Sequence, residues 1–153
     1  MNEQFLTDRI KAIIKEELHS VLDDIKYRLD EMARVSKFSD NFDIVVLTDD
    51  PGYVPHVHII DLPTRGREFD CCVQLGTNRY FQHGEHQDTM NTKMRKAFNK
   101  LMREPHRNVH YRNVYEYAVN LWNDNNSNSY VQIEEDDEGN VIVPDYTNIL
   151  PYK

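Results

Sequence analysis

Cysteine is scarce: the chain of 153 residues holds two, adjacent at Cys71 and Cys72. One dipeptide cannot make a disulfide framework, which points to a reducing compartment. No uninterrupted apolar run approaches the ~18 residues of a membrane span, so no membrane association is expected. The opening MNEQFLTDRIKAIIKEELHS lacks the basic-then-apolar order of a secretion signal, and a cytoplasmic location is expected. Positive charge is short as well. Lys plus Arg number 18 against 26 Asp plus Glu, a net charge of −8. That balance opposes strong non-specific binding to duplex DNA. Complete catalytic signatures are missing too: there is no CxxC and no HExxH.

What is present suffices for a folded domain. Hydrophobic residues make up 39% of the chain, too many for full disorder. A domain near this length buries roughly 70% of its unfolded surface, so no metal or disulfide staple is required.

Residues 5–35 contain neither Gly nor Pro and read as one long helix. Leu6, Ile10, Ile13, Ile14, Leu18, Val21, Leu22, Ile25, Leu29 and Met32 step by three and four, which places them on one face. Asp24 to Arg28 and Asp30 to Arg34 make acid-to-base pairs at i, i+4. Ile10, Val21 and Met32 recur at eleven residues, which suits a straight or slightly right-handed helix. Such a helix spans roughly 45 Å, more than the rest of the chain comfortably covers. Part of the stripe is therefore expected to meet another copy, making a homo-oligomer; the alternative is a helix laid along its own sheet.

Ser36–Asn41 reads as a linker. Strands are expected at 42–48, 56–62 and 68–75, joined by Asp49-Asp50-Pro51-Gly52 and Pro63-Thr64-Arg65-Gly66, turn-forming runs. Together they form a three-stranded antiparallel meander. Helices follow at 89–103 and from Asn113, where Glu116 completes a capping-box variant. Asn123–Ser129 is polar with little reason to fold, and a hairpin around Asp136–Asn140 precedes an extended end. The expected plan is α+β: a long amphipathic helix (1–40), a domain with two helices on one sheet face (41–126), and an acidic, partly extended tail (127–153).

The most pointed local feature is Pro55-His56-Val57-His58. On a strand, residues i and i+2 share a face, so both imidazoles point one way. That arrangement suits two ligands of a zinc ion. His83 and His86 would complete it, with Asp70 or Cys72 as alternative third donors; without such a set no cofactor is called for. The plainer reading leaves both histidines on a half-covered sheet face, hydrogen-bonded to loop backbone. Paired histidines also serve acid–base chemistry on phosphodiesters. In that case His56 and His58 would act on the substrate and Arg65 and Arg67 would steady phosphate; otherwise no residue is catalytic. Cys71 and Cys72 should face opposite ways, one thiol in the core and one on the polar face.

Charge is segregated. Lys93, Lys96, Lys100, Arg103 and Arg107 fall on or just after the second helix, among His106, His110 and Tyr111. This is the outline of a face for phosphate or an acidic partner, nucleic acid included. Glu134–Glu138 are all acidic, and they are a candidate counterpart from the same chain or a neighbour. Tyr130, Tyr146 and Tyr152 lie in the tail, either to dock on a partner or to fold back.

The run TDDPGYVPHVHII, with the strand at 68–75, the helix at 89–103 and Trp122, resembles small bacterial and phage proteins of a domain-of-unknown-function family carrying a PHFH-like strand. The resemblance spans about residues 43–126. It implies a mobile-element setting, with a toxin–antitoxin-like label drawn from gene neighbourhood, and carries over no catalytic residue. Three function classes follow. The first is a non-enzymatic interaction protein, a phage or mobile-element accessory or structural factor acting through self-association and a protein partner. The second is a toxin-like His-dependent ribonuclease or metal-assisted phosphoesterase. The third is an inhibitor of host defence whose acidic tail imitates nucleic acid.

Overall fold

The computed structural model describes residues 3–47, 54–61, 69–82, 88–126 and 129–152. The chain divides into two compact units, Met1–Glu31 and Met32–Lys153. The first is a single helix, α1 (Glu3–Glu31). Its first turns carry side-chain bonds along the helix, Gln4 to Asp8 and Thr7 to the Glu3 carbonyl, each 2.9 Å.

The second unit is built on four antiparallel strands: β1 (Met32–Lys37), β2 (Phe42–Leu47), β3 (His56–Asp61) and β4 (Asp70–Gln74). They lie in the order β1-β2-β3-β4. The α+β class is as expected, but the meander has four strands, not three. The helix expected over 5–35 stops at Glu31, and Ser36 and Lys37 belong to β1 rather than to a linker. The cause is visible in β2, whose Asp43, Ile44, Val45 and Val46 are all buried. A strand buried on both faces is a central strand and needs a partner along each edge. Pairing overrides the helical spacing that Met32 continues in the sequence. Arg34 is thus on a strand, where it pairs with Asp43 at 2.9 Å, and the helical i, i+4 spacing expected from Asp30 does not extend to it. A register shift between Arg34 and Ser36 bends β1.

Helix α2 (Thr92–Met102) is capped by Asn91, whose side chain accepts from the Met94 N–H at 2.8 Å. Helix α3 (Val114–Asn125) is capped by Asn113, which accepts from the Glu116 N–H at 2.8 Å. Glu116 reaches back as a capping box should, but one residue further: its carboxylate accepts the Arg112 N–H at 2.8 Å and pairs with the guanidinium at 2.6 Å. α3 packs on β1, β2 and α2.

Register assigns the two sheet faces. Val57 pairs with Val73, Ile59 with Cys71 and Ile44 with Ile59, so these share one face. With Val46 they join Phe98, Met102, Ala118, Val119 and Trp122 in one buried cluster. The C-terminal segment closes it. The expected hairpin forms, with Glu135 bridged to Val141 and Gly139 supplying a positive φ of 81° in its turn. Tyr146 is fully buried, its ring 5.0 Å from Phe98 and its hydroxyl donating to the Gln74 carbonyl at 2.8 Å. Leu150 then bridges Arg79. The residues just after Trp122, Asn123–Asn126, are also ordered, against expectation. The Asn123 side chain bonds both backbone groups of Val131 at 2.9 Å, and Asn126 is buried, donating to the Trp122 carbonyl at 3.1 Å.

Candidate metal centre

The other face of the same sheet is polar and equally dry. His58 lies opposite Cys72, His56 opposite Gln74 and Ile60 opposite Asp70, so His56, His58, Asp70 and Cys72 all project to this side. None is more than 1% exposed. The face is therefore fully covered, not half-covered as expected from the sequence. Two i, i+2 pairs, His-x-His on β3 and Asp-x-Cys on β4, meet because the strands are antiparallel neighbours.

His56 Nδ1 lies 2.6 Å from the Val54 carbonyl oxygen. A carbonyl only accepts, so this nitrogen carries the proton. His58 Nδ1 lies 2.7 Å from Asp70 Oδ1, and the same reasoning protonates it toward a carboxylate. Both inner nitrogens are thereby fixed as Nε2, and they stand 3.0 Å apart. Cys72 Sγ is 3.9 Å from His58 Nε2 and 3.3 Å from its Nδ1. One donor atom from each of His56, His58 and Cys72 lies within 4.8 Å of the others. Phe81 and Trp122 wall the His56 ring, with centroids at 4.5 and 5.1 Å. The Asp70 strand is tied down at its start by Asp88, whose Oδ2 accepts the Asp70 N–H at 2.9 Å.

Cys71 turns the other way, into the apolar core, as strand alternation requires. Burial, reinforced by the negative charges of Asp70 and Asp88, pushes its thiol up to about 12. Both cysteines are buried, and neither is in a disulfide.

Of the donors considered from sequence, Asp70 and Cys72 do come together with His56 and His58. His83, His86, Arg65 and Arg67 lie outside the described residues. The expected hydrogen bond from a histidine to loop backbone is present at His56, through the Val54 carbonyl; the aromatic wall leaves no local signal in the sequence. Lys93, Lys96, Lys100, Arg103 and Arg107 are all exposed. Arg103 is committed to its own chain, donating to the Val143 and Pro144 carbonyls at 2.9 and 3.0 Å. Arg112 likewise pairs with Glu135 of the acidic run at 3.0 Å. Among the described residues, no helix is long and apolar enough to cross a membrane. Comparison with protein-family models, with curated proteins and with solved structures finds no match to this chain.

Proposed function

We propose that the protein is a non-enzymatic interaction factor that self-associates through α1 and offers its sheet-and-helix body to a protein partner. One observation carries this reading: Leu6, Ile10, Ile13, Ile14 and Leu18 of α1 are 45–57% exposed. Full burial of such a side chain is worth about 1.5–3 kcal/mol, so roughly 1 kcal/mol remains unrealised at each position. Two copies joined along this row would gain about 10 kcal/mol, against association costs that begin near 4 kcal/mol. The sequence continues the row through Val21, Ile25 and Leu29. Charge favours a second copy as the occupant. Glu3, Asp8, Glu16 and Glu17 are nearly balanced by Arg9, Lys11 and Lys15, so this segment is close to neutral in a strongly acidic chain. Light scattering across a concentration series tests it. The full chain is expected to run as a dimer or larger, and the double variant Ile10→Lys, Ile14→Lys as a monomer. A parent chain that stays monomeric at all concentrations refutes the reading.

A second reading, a partner bearing phosphate, is favoured by a separate recess of about 480 Å³ lined by Arg34, Lys37, His106, Arg107 and Tyr117. The His106 and Tyr117 rings lie 4.0 Å apart there, an aromatic platform beside cations. Binding of a short RNA that weakens with salt, and is lost in Arg107→Glu, would support it; no binding at low salt removes it.

A further inference from the structure

The row on α1 leaves the buried polar face unexplained, and that face has a chemistry of its own. We infer that His56, His58 and Cys72 form a binding site for a transition-metal ion of the zinc type, oriented by Asp70 and the Val54 carbonyl.

With both Nδ1 atoms turned to acceptors, the two imidazoles face each other through Nε2. Those two nitrogens stand 3.0 Å apart in a dry interior. One cation shared between them, a proton or a metal ion, accounts for so close an approach. A tetrahedral zinc ion with Zn–N of 2.0–2.1 Å separates two imidazole nitrogens by about 3.3 Å and an imidazole nitrogen from a thiolate by about 3.6 Å. The two Nε2 atoms stand 3.0 Å apart, and Cys72 Sγ lies 3.9 Å from His58 Nε2 but 3.3 Å from its Nδ1. Seating the ion therefore requires the Cys72 side chain to turn from the Nδ1 edge of the ring toward the two Nε2 atoms.

The outer groups match what a metal-bound histidine requires. A ligating imidazole donates its other N–H to a carboxylate or a backbone carbonyl, which fixes its tautomer and raises its basicity. His58 has Asp70 at 2.7 Å and His56 has Val54 at 2.6 Å. Charge closes as well. The Cys72 thiolate and the Asp70 carboxylate together neutralise a dication, so no net charge is buried. Loading is a simple exchange: the metal–sulfur bond forms, the Cys72 thiol proton leaves to solvent, and no electrons are transferred. Two imidazoles and a thiolate select zinc, cobalt or copper and reject the oxygen-seeking magnesium and calcium.

The molecule supplies its own reporter. Trp122 is the sole tryptophan, and its ring lies 5.1 Å from that of His56. The full chain would be stripped with a chelator, then titrated with Co²⁺ and back-titrated with Zn²⁺. The expected results are one ion per chain, a thiolate-to-cobalt charge-transfer band, quenching of Trp122 emission, and displacement of cobalt by zinc. Cys72→Ser should abolish the band; Cys71→Ser, on the opposite face, should leave it intact. Asp70→Asn should weaken affinity about 10–100-fold. Unfolding of the chain on chelation, reversed by zinc, would also support the site. Three results would overturn it: no band and no quenching at millimolar Co²⁺, a band that survives Cys72→Ser, or a band lost equally in Cys71→Ser. The first would leave the two histidines sharing a proton instead of a metal.

Discussion

Replacing Tyr146 should damage the body of the protein far more than its place in a polar, acidic segment suggests. The ring is fully buried, packs edge-on against Phe98, and its hydroxyl satisfies the Gln74 carbonyl. Truncating a buried aromatic to Ala typically costs about 3–5 kcal/mol, and an acceptor left unpaired adds about 1 kcal/mol. Stability near 0.05–0.15 kcal/mol per residue gives the unit Met32–Lys153 about 6–18 kcal/mol in total. Tyr146→Ala therefore removes a large share of it. With a urea slope of about 2 kcal/mol per molar, the midpoint should fall by about 2 M. Tyr146→Phe keeps the ring and loses only the hydrogen bond, for a fall of about 0.5–1 M. Trp122 emission follows the body alone, because the other unit has no tryptophan. Tyr146→Phe also keeps the test quantitative if the alanine variant fails to fold. A midpoint for Tyr146→Ala within about 0.3 M of the parent would show that this segment does not complete the core.

Further outcomes can be stated briefly. The Glu116 carboxyl is held below its ordinary range chiefly by its hydrogen bond from Arg112. Its contribution is therefore present above the unfolded value near pH 4.3 and fades as acid carries the solution through the lower folded value. Glu116→Gln should cost about 1–2 kcal/mol at pH 7, and the gap to the parent in thermal melts should shrink as the pH falls below the unfolded carboxylate value. Cys71, with its thiol at about 12, should resist alkylation in the native chain at pH 8 and react once the chain is unfolded in urea, as mass mapping would show. Asn113→Ala should destabilise the body by about 1 kcal/mol through loss of the α3 cap.

The sequence was most readable where one physical signal acted alone. β-Branched runs placed β2 and β3, the breaker Pro105 follows the end of α2, and Asn113 marked the start of α3. Alternation correctly sent Cys71 and Cys72 to opposite faces. Reading failed where a distant pairing decided the outcome. Met32 fits a helical row and a strand equally well, and only the need of β2 for a second edge partner settles it. Asn123 and Asn126 look like linker residues until their carbonyl and amide partners arrive from other segments. The site was half visible. His-x-His was plain, and Asp70 and Cys72 were among the candidate donors, but only the pairing of β3 with β4 selects them. The dryness of that face has no local signature at all.

The sheet divides two incompatible chemistries by the thickness of one backbone. Each step along β4 crosses from carboxylate to core thiol, to the thiol of the polar face, to valine. Substitutions on either side leave that partition in place, whereas gaining or losing one amino acid inside Asp70–Gln74 would turn every later side chain over. This short strand should therefore accept changes of identity much more readily than changes of length, and a library of single-codon deletions should show its sharpest loss of fold within these five positions.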